Sequence, residues 1–364
     1  MERVLDKIIK YGLYLLVFLF PFWFLPWTIS PVAFNKQILL AVFVFLLLIL
    51  WLVKIISSGK LSFVWNKLNT AVILLLLVLG ISTIFSSARI QSFWGMADEP
   101  DTFFNFILYG LVFFLFANLI SANQLKSVLI SFLAGSGILS LLFLIQCFKP
   151  IFPWDFAQSS GFNSIGSVQS LAVFLGGVFL ILMSLISINQ PSSAQIGGKI
   201  ILRRLMFIFT IILGILLFVS LLAVNYWAVW LGIVFGAAII VFSKLKNISA
   251  NQPLSAEISG VAPGSNPLKP LFLPLFIFAL ALVFIFLKLP VGSILALPSE
   301  INLTYPATFD IAKKTLEEGP KNLVLGSGPA TFSYQYSLHR GTGLNLTDFW
   351  QIRFNQGAAV LPTF

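Results

Sequence analysis

The sequence predicts an all-α, polytopic transmembrane helical bundle that carries a large external loop containing short helices. Three observations carry that expectation. Hydrophobic residues make up 59% of the 364-residue chain and charged residues only 9%, against about a quarter charged in a soluble domain. Apolar runs recur at a length of roughly 20 residues, which is what a helix needs to cross the hydrocarbon core. Inside lipid a helix satisfies its own backbone hydrogen bonds, so a helical bundle is the expected solution. Lastly, the basic residues gather in alternate connections between the runs, the pattern that fixes orientation in a membrane.

The elements follow in order. A polar lead with Arg3, Lys7 and Lys10 precedes a first span expected over Tyr11–Thr28. Pro21 and Pro26 predict a kink or an early end there, and Trp23 and Trp27 suit the interfacial aromatic belt. This run has no small-residue cleavage site and is followed by more such runs, so it reads as a span and not as a removed signal peptide. The second and third spans are expected over Gln37–Ile56 and Leu68–Phe85. A polar loop, 86–101, leads to the fourth over Thr102–Ile120. The fifth covers Leu125–Phe148. A loop rich in Pro, Ser and Gly, 149–166, precedes the sixth over Ser167–Ile188. The seventh and eighth, Leu205–Ala223 and Trp227–Ser243, are separated only by Val224-Asn-Tyr226. A Pro/Ser/Asn/Gly-rich loop from Lys244 to Lys269 leads to the ninth over Pro270–Leu289.

Nine spans alternate sides, which tests the loop charges. With the N-terminus in the cytoplasm, 13 of the 22 Lys and Arg fall inside, and the short outer loops keep only Lys36, Arg89 and Lys149. Asp98, Glu99, Asp101 and Asp155 fall outside. Residues 1–289 are therefore expected to form the membrane bundle and 290–364 a large extracytoplasmic loop. The chain stops at Ala358-Ala-Val-Leu-Pro-Thr-Phe364, which reads as the approach to a further span, so the sequence is expected to be a fragment. The net charge of +10 is spread over loop ends, which argues against a nucleic-acid partner. A single cysteine, Cys147, excludes an intramolecular disulfide and a cysteine-cluster metal site.

The external segment holds the chemistry-bearing residues. Tyr305–Glu318 has helical character, with Phe309, Ala312 and Leu316 near one face, ready for the membrane surface or the bundle. Gly319-Pro320 ends it. Gly326-Ser-Gly-Pro329 is a tight turn, or a turn whose backbone N–H groups approach an anion. It is not a Walker loop, because the Gly-Lys-Ser/Thr ending is absent. Phe332, Tyr334, Tyr336 and Leu338 alternate, as one face of a strand or as a helix turn at the interface. His339, the only histidine, lies beside Arg340, either solvated or at a reaction centre. Trp350, Arg353 and Asn355 stand at helical spacing, and an arginine there can anchor a lipid headgroup or pair with a lipid-linked phosphate.

Several pieces together resemble the O-antigen ligase/O-antigen polymerase family of bacterial membrane glycosyltransferases. The strongest is the helix at Tyr305, then Leu325-Gly-Ser-Gly-Pro-Ala-Thr-Phe332 and Tyr336, similar to the family's helix, G-x-G-x-x-x-F and tyrosine passage. Ser92-Phe-Trp-Gly95 and Gly166-Ser-Val-Gln-Ser-Leu-Ala172 are further pieces. Departures exist. Asn225-Tyr-Trp-Ala228 stands where members carry Ser-Arg-Gly, Gln169 stands where Asn is usual, and 346–353 lacks the family's histidine.

The resemblance implies a metal-independent enzyme, without cofactor, in the bacterial cytoplasmic membrane. It would transfer a glycan from an undecaprenyl-diphosphate carrier to an acceptor hydroxyl on lipid, glycan or protein outside the membrane. Such a reaction needs a base for the acceptor proton and cations for the diphosphate leaving group. His339 is the candidate base, with Asp348, Asp98, Glu99 or Asp101 as alternatives, and Arg89, Arg340 and Arg353 are the candidate cations. Gly326, Gly328, Tyr336, Gln169 and Trp94 are candidate substrate-binding residues. A transporter or flippase for a lipid-linked glycan, and a non-catalytic component of envelope assembly, are the competing readings. Ion-coupled transport is disfavoured by span interiors nearly devoid of ionisable residues.

Overall fold

The computed structural model describes residues 2–28, 30–59, 63, 65–95, 99–188, 200–250, 269–287, 289, 294–298, 300–343 and 350–358. Among these, all regular structure is helical. Among the described residues, six helices are long and apolar enough to cross a membrane: Ala33–Ser58 (α2), Lys67–Ile84 (α3), Ala122–Phe148 (α6), and the apolar parts of Val168–Ile188 (α7), Ile200–Val224 (α8) and Trp227–Ala250 (α9). Phe103–Leu119 (α5) and the apolar part of Lys269–Phe286 (α10) are shorter apolar helices. The chain is thus a multi-pass, all-helical protein whose apolar helices suit a lipid bilayer.

The first expected span forms differently. Its helix, α1, runs Glu2–Leu19 and ends in a turn at Phe20–Phe22 around Pro21, whose ring and missing N–H stop a helix. The polar lead has become its first turns, and its apolar part, 11–19, is far short of the roughly 20 residues a crossing needs. Ile9, Leu13 and Leu16 pack into a core with Leu39, Leu40, Val44 and Leu47 of α2 and Leu108 and Leu115 of α5. Asp6 pairs with Lys54 at 2.6 Å, so the start of α1 meets the end of α2.

The chain divides into two compact units, 1–132 with 300–364, and 133–299, the division falling within α6. The second unit packs α7 against α8, α9 and α10, with α9 against α10. Trp230 is its largest buried side chain, stacked on Phe284 at 4.8 Å between centroids. Its indole N–H donates to Asn225 Oδ1 at 3.0 Å. Asn225 takes φ 46° in the tight α8–α9 connection, a left-handed turn that asparagine tolerates. Gln146 ties the loop after α6 to its helix, donating to Ala157 O at 2.6 Å and Ser159 O at 2.9 Å while accepting from Ile151 N at 3.0 Å.

In the first unit the segment after residue 300 supplies three helices. Tyr305–Glu317 (α11) starts on Thr304, whose hydroxyl caps Ala307 N, with Pro306 in the first turn. Pro320–Leu325 (α12) starts on a proline as well, so Gly319-Pro320 ends one helix and opens the next. Phe332–His339 (α13) follows. Leu303, Ile311, Phe332 and Tyr336 form its small core, joined by Ala307 and Phe354. The buried face of α11 carries Thr308, Ile311 and Thr315, while Phe309 and Leu316 point to the outside. The alternating aromatics of 332–338 settle as a helix: Phe332 and Tyr336, four apart, are buried, and Tyr334 and Leu338 are exposed. Residues 350–358, with Trp350, Arg353 and Asn355, run as turns and coil rather than helix.

Candidate functional site

The site is built at one end of the first unit, where α12 and α13 dock on the corner between α3 and the short helix Arg89–Trp94 (α4). Serines at the corner make the dock. Ser82 donates to Leu325 O at 2.7 Å and Ser86 to Ser327 O at 2.8 Å. Gly328 lies against them with φ 111°, and a Cβ there would fall 2.5 Å from Ser86 Oγ and 2.9 Å from Ser92 Oγ. Only glycine permits both that dihedral and that approach. Thr331 closes the turn, donating to Gly328 O at 2.6 Å and sharing a 2.7 Å bond with Ser327. Gly326 caps α12, its N–H committed to Asn322 O. The Gly-Ser-Gly-Pro stretch is therefore the loop that seats α12 and α13 on the corner of α3 and α4.

A buried polar knot secures the other side. Glu99 is 3% exposed. Its Oε1 accepts from Ser333 Oγ at 2.8 Å and from Gln91 Nε2 at 3.1 Å. Gln91 Nε2 also stands 3.0 Å from Ala330 O and 2.7 Å from Ser333 Oγ, so its two protons serve α13 and the acidic loop together. Gln37 of α2 donates to Glu99 O at 3.1 Å. Glu99, one of the alternative bases, thus occupies a structural position with its carboxylate engaged. Beside it, the Asp101 carboxyl titrates above its ordinary range. Burial is the largest cause, the Glu99 charge adds to it, and a hydrogen bond from Gln356 opposes both.

His339 ends α13, partly buried. Its Nε2 lies 2.8 Å from Glu318 Oε1. Asn322 donates to the other carboxylate oxygen, Oε2, at 2.6 Å and to Thr315 O at 3.1 Å. A carboxylate only accepts, so Nε2 carries the proton of this bond. Asn322, Glu318 and His339 form one chain across the ends of α11, α12 and α13. Glu318 and Asn322 were not singled out in the sequence. They lie 21 and 17 positions from His339, and no local spacing joins them.

The other sequence candidates separate. Tyr336 is 1% exposed; it packs edge-on against Phe354 with centroids 5.5 Å apart and its hydroxyl reaches Ile352 O, holding 350–358 to α13. Arg340 is exposed and donates to Trp350 O at 3.1 Å. Arg89 and Arg353 are exposed, and among the described residues neither is paired with a carboxylate. Trp94 is exposed beside Phe93 and Phe104. Gln169 belongs to the second unit, in the first turn of α7. Asn163 shapes the loop before it, accepting from Ile165 N and Gly166 N. Asp98, Asp348 and Asn345–Thr347 lie outside the described residues. Among the described residues no group of three His, Cys, Asp or Glu is placed to hold a metal.

Compared with family models, with curated proteins and with solved structures, the chain matches none.

Proposed function

We propose that this protein transfers a glycan from an undecaprenyl-diphosphate-linked donor to an acceptor hydroxyl at the outer face of the bacterial cytoplasmic membrane, as a member of the O-antigen ligase/polymerase family would. The observation that carries the proposal is the Asn322–Glu318–His339 chain at the end of the docked helices. A histidine with one nitrogen engaged by a carboxylate and the other without a partner among the described residues has the arrangement of an oriented general base.

In this reading His339 Nδ1 takes the proton of the acceptor hydroxyl. The oxygen attacks the anomeric carbon, a new glycosidic bond forms, and the bond to the carrier diphosphate breaks, the electron pair leaving on the diphosphate. Glu318 holds the ring and balances the imidazolium that results. Arg340, at the adjoining position, and the exposed Arg89 and Arg353 supply cations for the leaving diphosphate, where arginine's fork suits phosphate oxygens.

The test compares initial rates of purified protein in liposomes with a polyprenyl-diphosphate glycan donor. His339→Ala is expected to lower kcat by about 10²–10⁴-fold, the usual contribution of a general base. Glu318→Gln is expected to lower kcat by roughly tenfold with KM unchanged, and Glu318→Asp to recover part of it, as fits a positioning partner. Wild-type kcat in His339→Ala overturns the assignment of the base.

A further inference from the structure

The docking contacts fix more than the position of His339. Ser82 and Ser86 bind Leu325 O and Ser327 O, so α12 lies at the very end of the α3 span. Its next two residues back, Leu323 and Val324, are 68% and 80% exposed. Beside the same contacts, Ile81, Ile84 and Phe85 at the end of α3, and Ile90 at the start of α4, are exposed as well. Ile81 and Ile84 belong to the outward surface of a helix long and apolar enough to cross a membrane. Exposed apolar residues thus stand at the end of the span and on both α12 and α4, the elements that meet at the docking contacts. Arg89, exposed, adjoins Ile90, and Lys321, also exposed, stands two positions before Leu323. Apolar side chains flanked by basic ones, at the end of a span, match the boundary between acyl chains and phosphate headgroups.

We propose that Leu323 and Val324 of α12, with Phe85 and Ile90, form a lipid-seated edge that sinks into the surface of the same bilayer, Arg89 and Lys321 meeting anionic headgroups. The edge sets the depth of the segment that follows. Residues 326–339 are held to the α3–α4 corner on one side and to the lipid surface on the other. The proposal does not depend on the chemistry assigned to His339, because its readout is depth and not turnover.

The experiment uses the full chain in lipid nanodiscs, in a Cys147→Ser background, with a nitroxide attached at Leu323→Cys or Val324→Cys. Lys313→Cys on α11, whose side chain is 73% exposed, is the aqueous control. Collision with oxygen, which concentrates in lipid, is compared with collision with a water-soluble nickel chelate. The labels at 323 and 324 are expected to favour oxygen and the label at 313 the chelate. Chelate access at 323 and 324 equal to that at 313 overturns the proposal. Shielding from both reagents overturns it too, because protein, another segment or a second copy, then covers the edge. In phosphatidylglycerol discs the label at 323 is expected to sit deeper than in phosphatidylcholine discs. Equal depth in the two removes the headgroup role of the basic pair.

Discussion

Asp101 shows how the site's charges are held. Burial and the neighbouring Glu99 charge raise its carboxyl above the ordinary carboxylate range. The folded protein therefore binds this proton more tightly than the unfolded chain does. Its stability falls as pH rises through the folded value and is regained on acidification toward the unfolded one. Asp101→Asn removes the charge and its cost. The variant is expected to melt above wild type at pH 7, with the difference shrinking as pH falls and gone near pH 4, as followed by thermal unfolding in detergent. A constant difference from pH 4 to 8 contradicts this account of Asp101. Glu99 has hydrogen-bond partners in place. Gln91→Leu strips donors from a buried carboxylate, a loss of about 1–3 kcal/mol or more, and is expected to lower the melting temperature and open 326–340 to proteolysis. Both residues were visible in the sequence only as an acidic cluster, since Ser333 and Gln356, which meet them, lie more than 200 positions away.

At the scale of elements, the glycine loop is the joint on which α12 and α13 depend. Gly328→Ala puts a methyl group against Ser86 and Ser92 at a φ of 111°. A cost of about 1–3 kcal/mol for a non-glycine residue in strained backbone is expected to appear as faster proteolysis between α12 and α13 with the membrane helices intact. Unchanged cleavage contradicts the docking role. The apolar helices were legible from run length alone, and α11 from its periodicity and the Gly319-Pro320 stop. The early end of the first span was legible from Pro21 as well, and the helix stops at Leu19. One feature was less so. The buried face of α11 is Thr308, Ile311 and Thr315 and not the more apolar Phe309 and Leu316, because threonine hydroxyls that bond back to their own helix can be buried at little cost. Thr308 and Thr315 do this to Thr304 O and Ile311 O. The side-chain pattern of α11 alone does not show which face the neighbouring helix takes.

For the whole molecule, the multi-pass helical architecture puts His339, the proposed base, at the end of the first unit. The acidic loop before α5 and the segment after residue 300 meet at that same end, through Gln91, Glu99 and Ser333. Charge distribution predicts that this end faces away from the cytoplasm. Single cysteines at Lys313 and at Lys54 are therefore expected to react from opposite sides of intact inverted vesicles with a membrane-impermeant maleimide, and labelling of both from one side contradicts the topology. The most direct test of the central claim is turnover by the full-length wild-type protein in proteoliposomes, supplied with an undecaprenyl-diphosphate-linked glycan and candidate acceptors. The account predicts acceptor-dependent release of undecaprenyl diphosphate, stoichiometric with glycosylated product and insensitive to chelators. Folded protein that releases no carrier from any donor and acceptor pair, or that moves the intact donor across the bilayer instead, would contradict it.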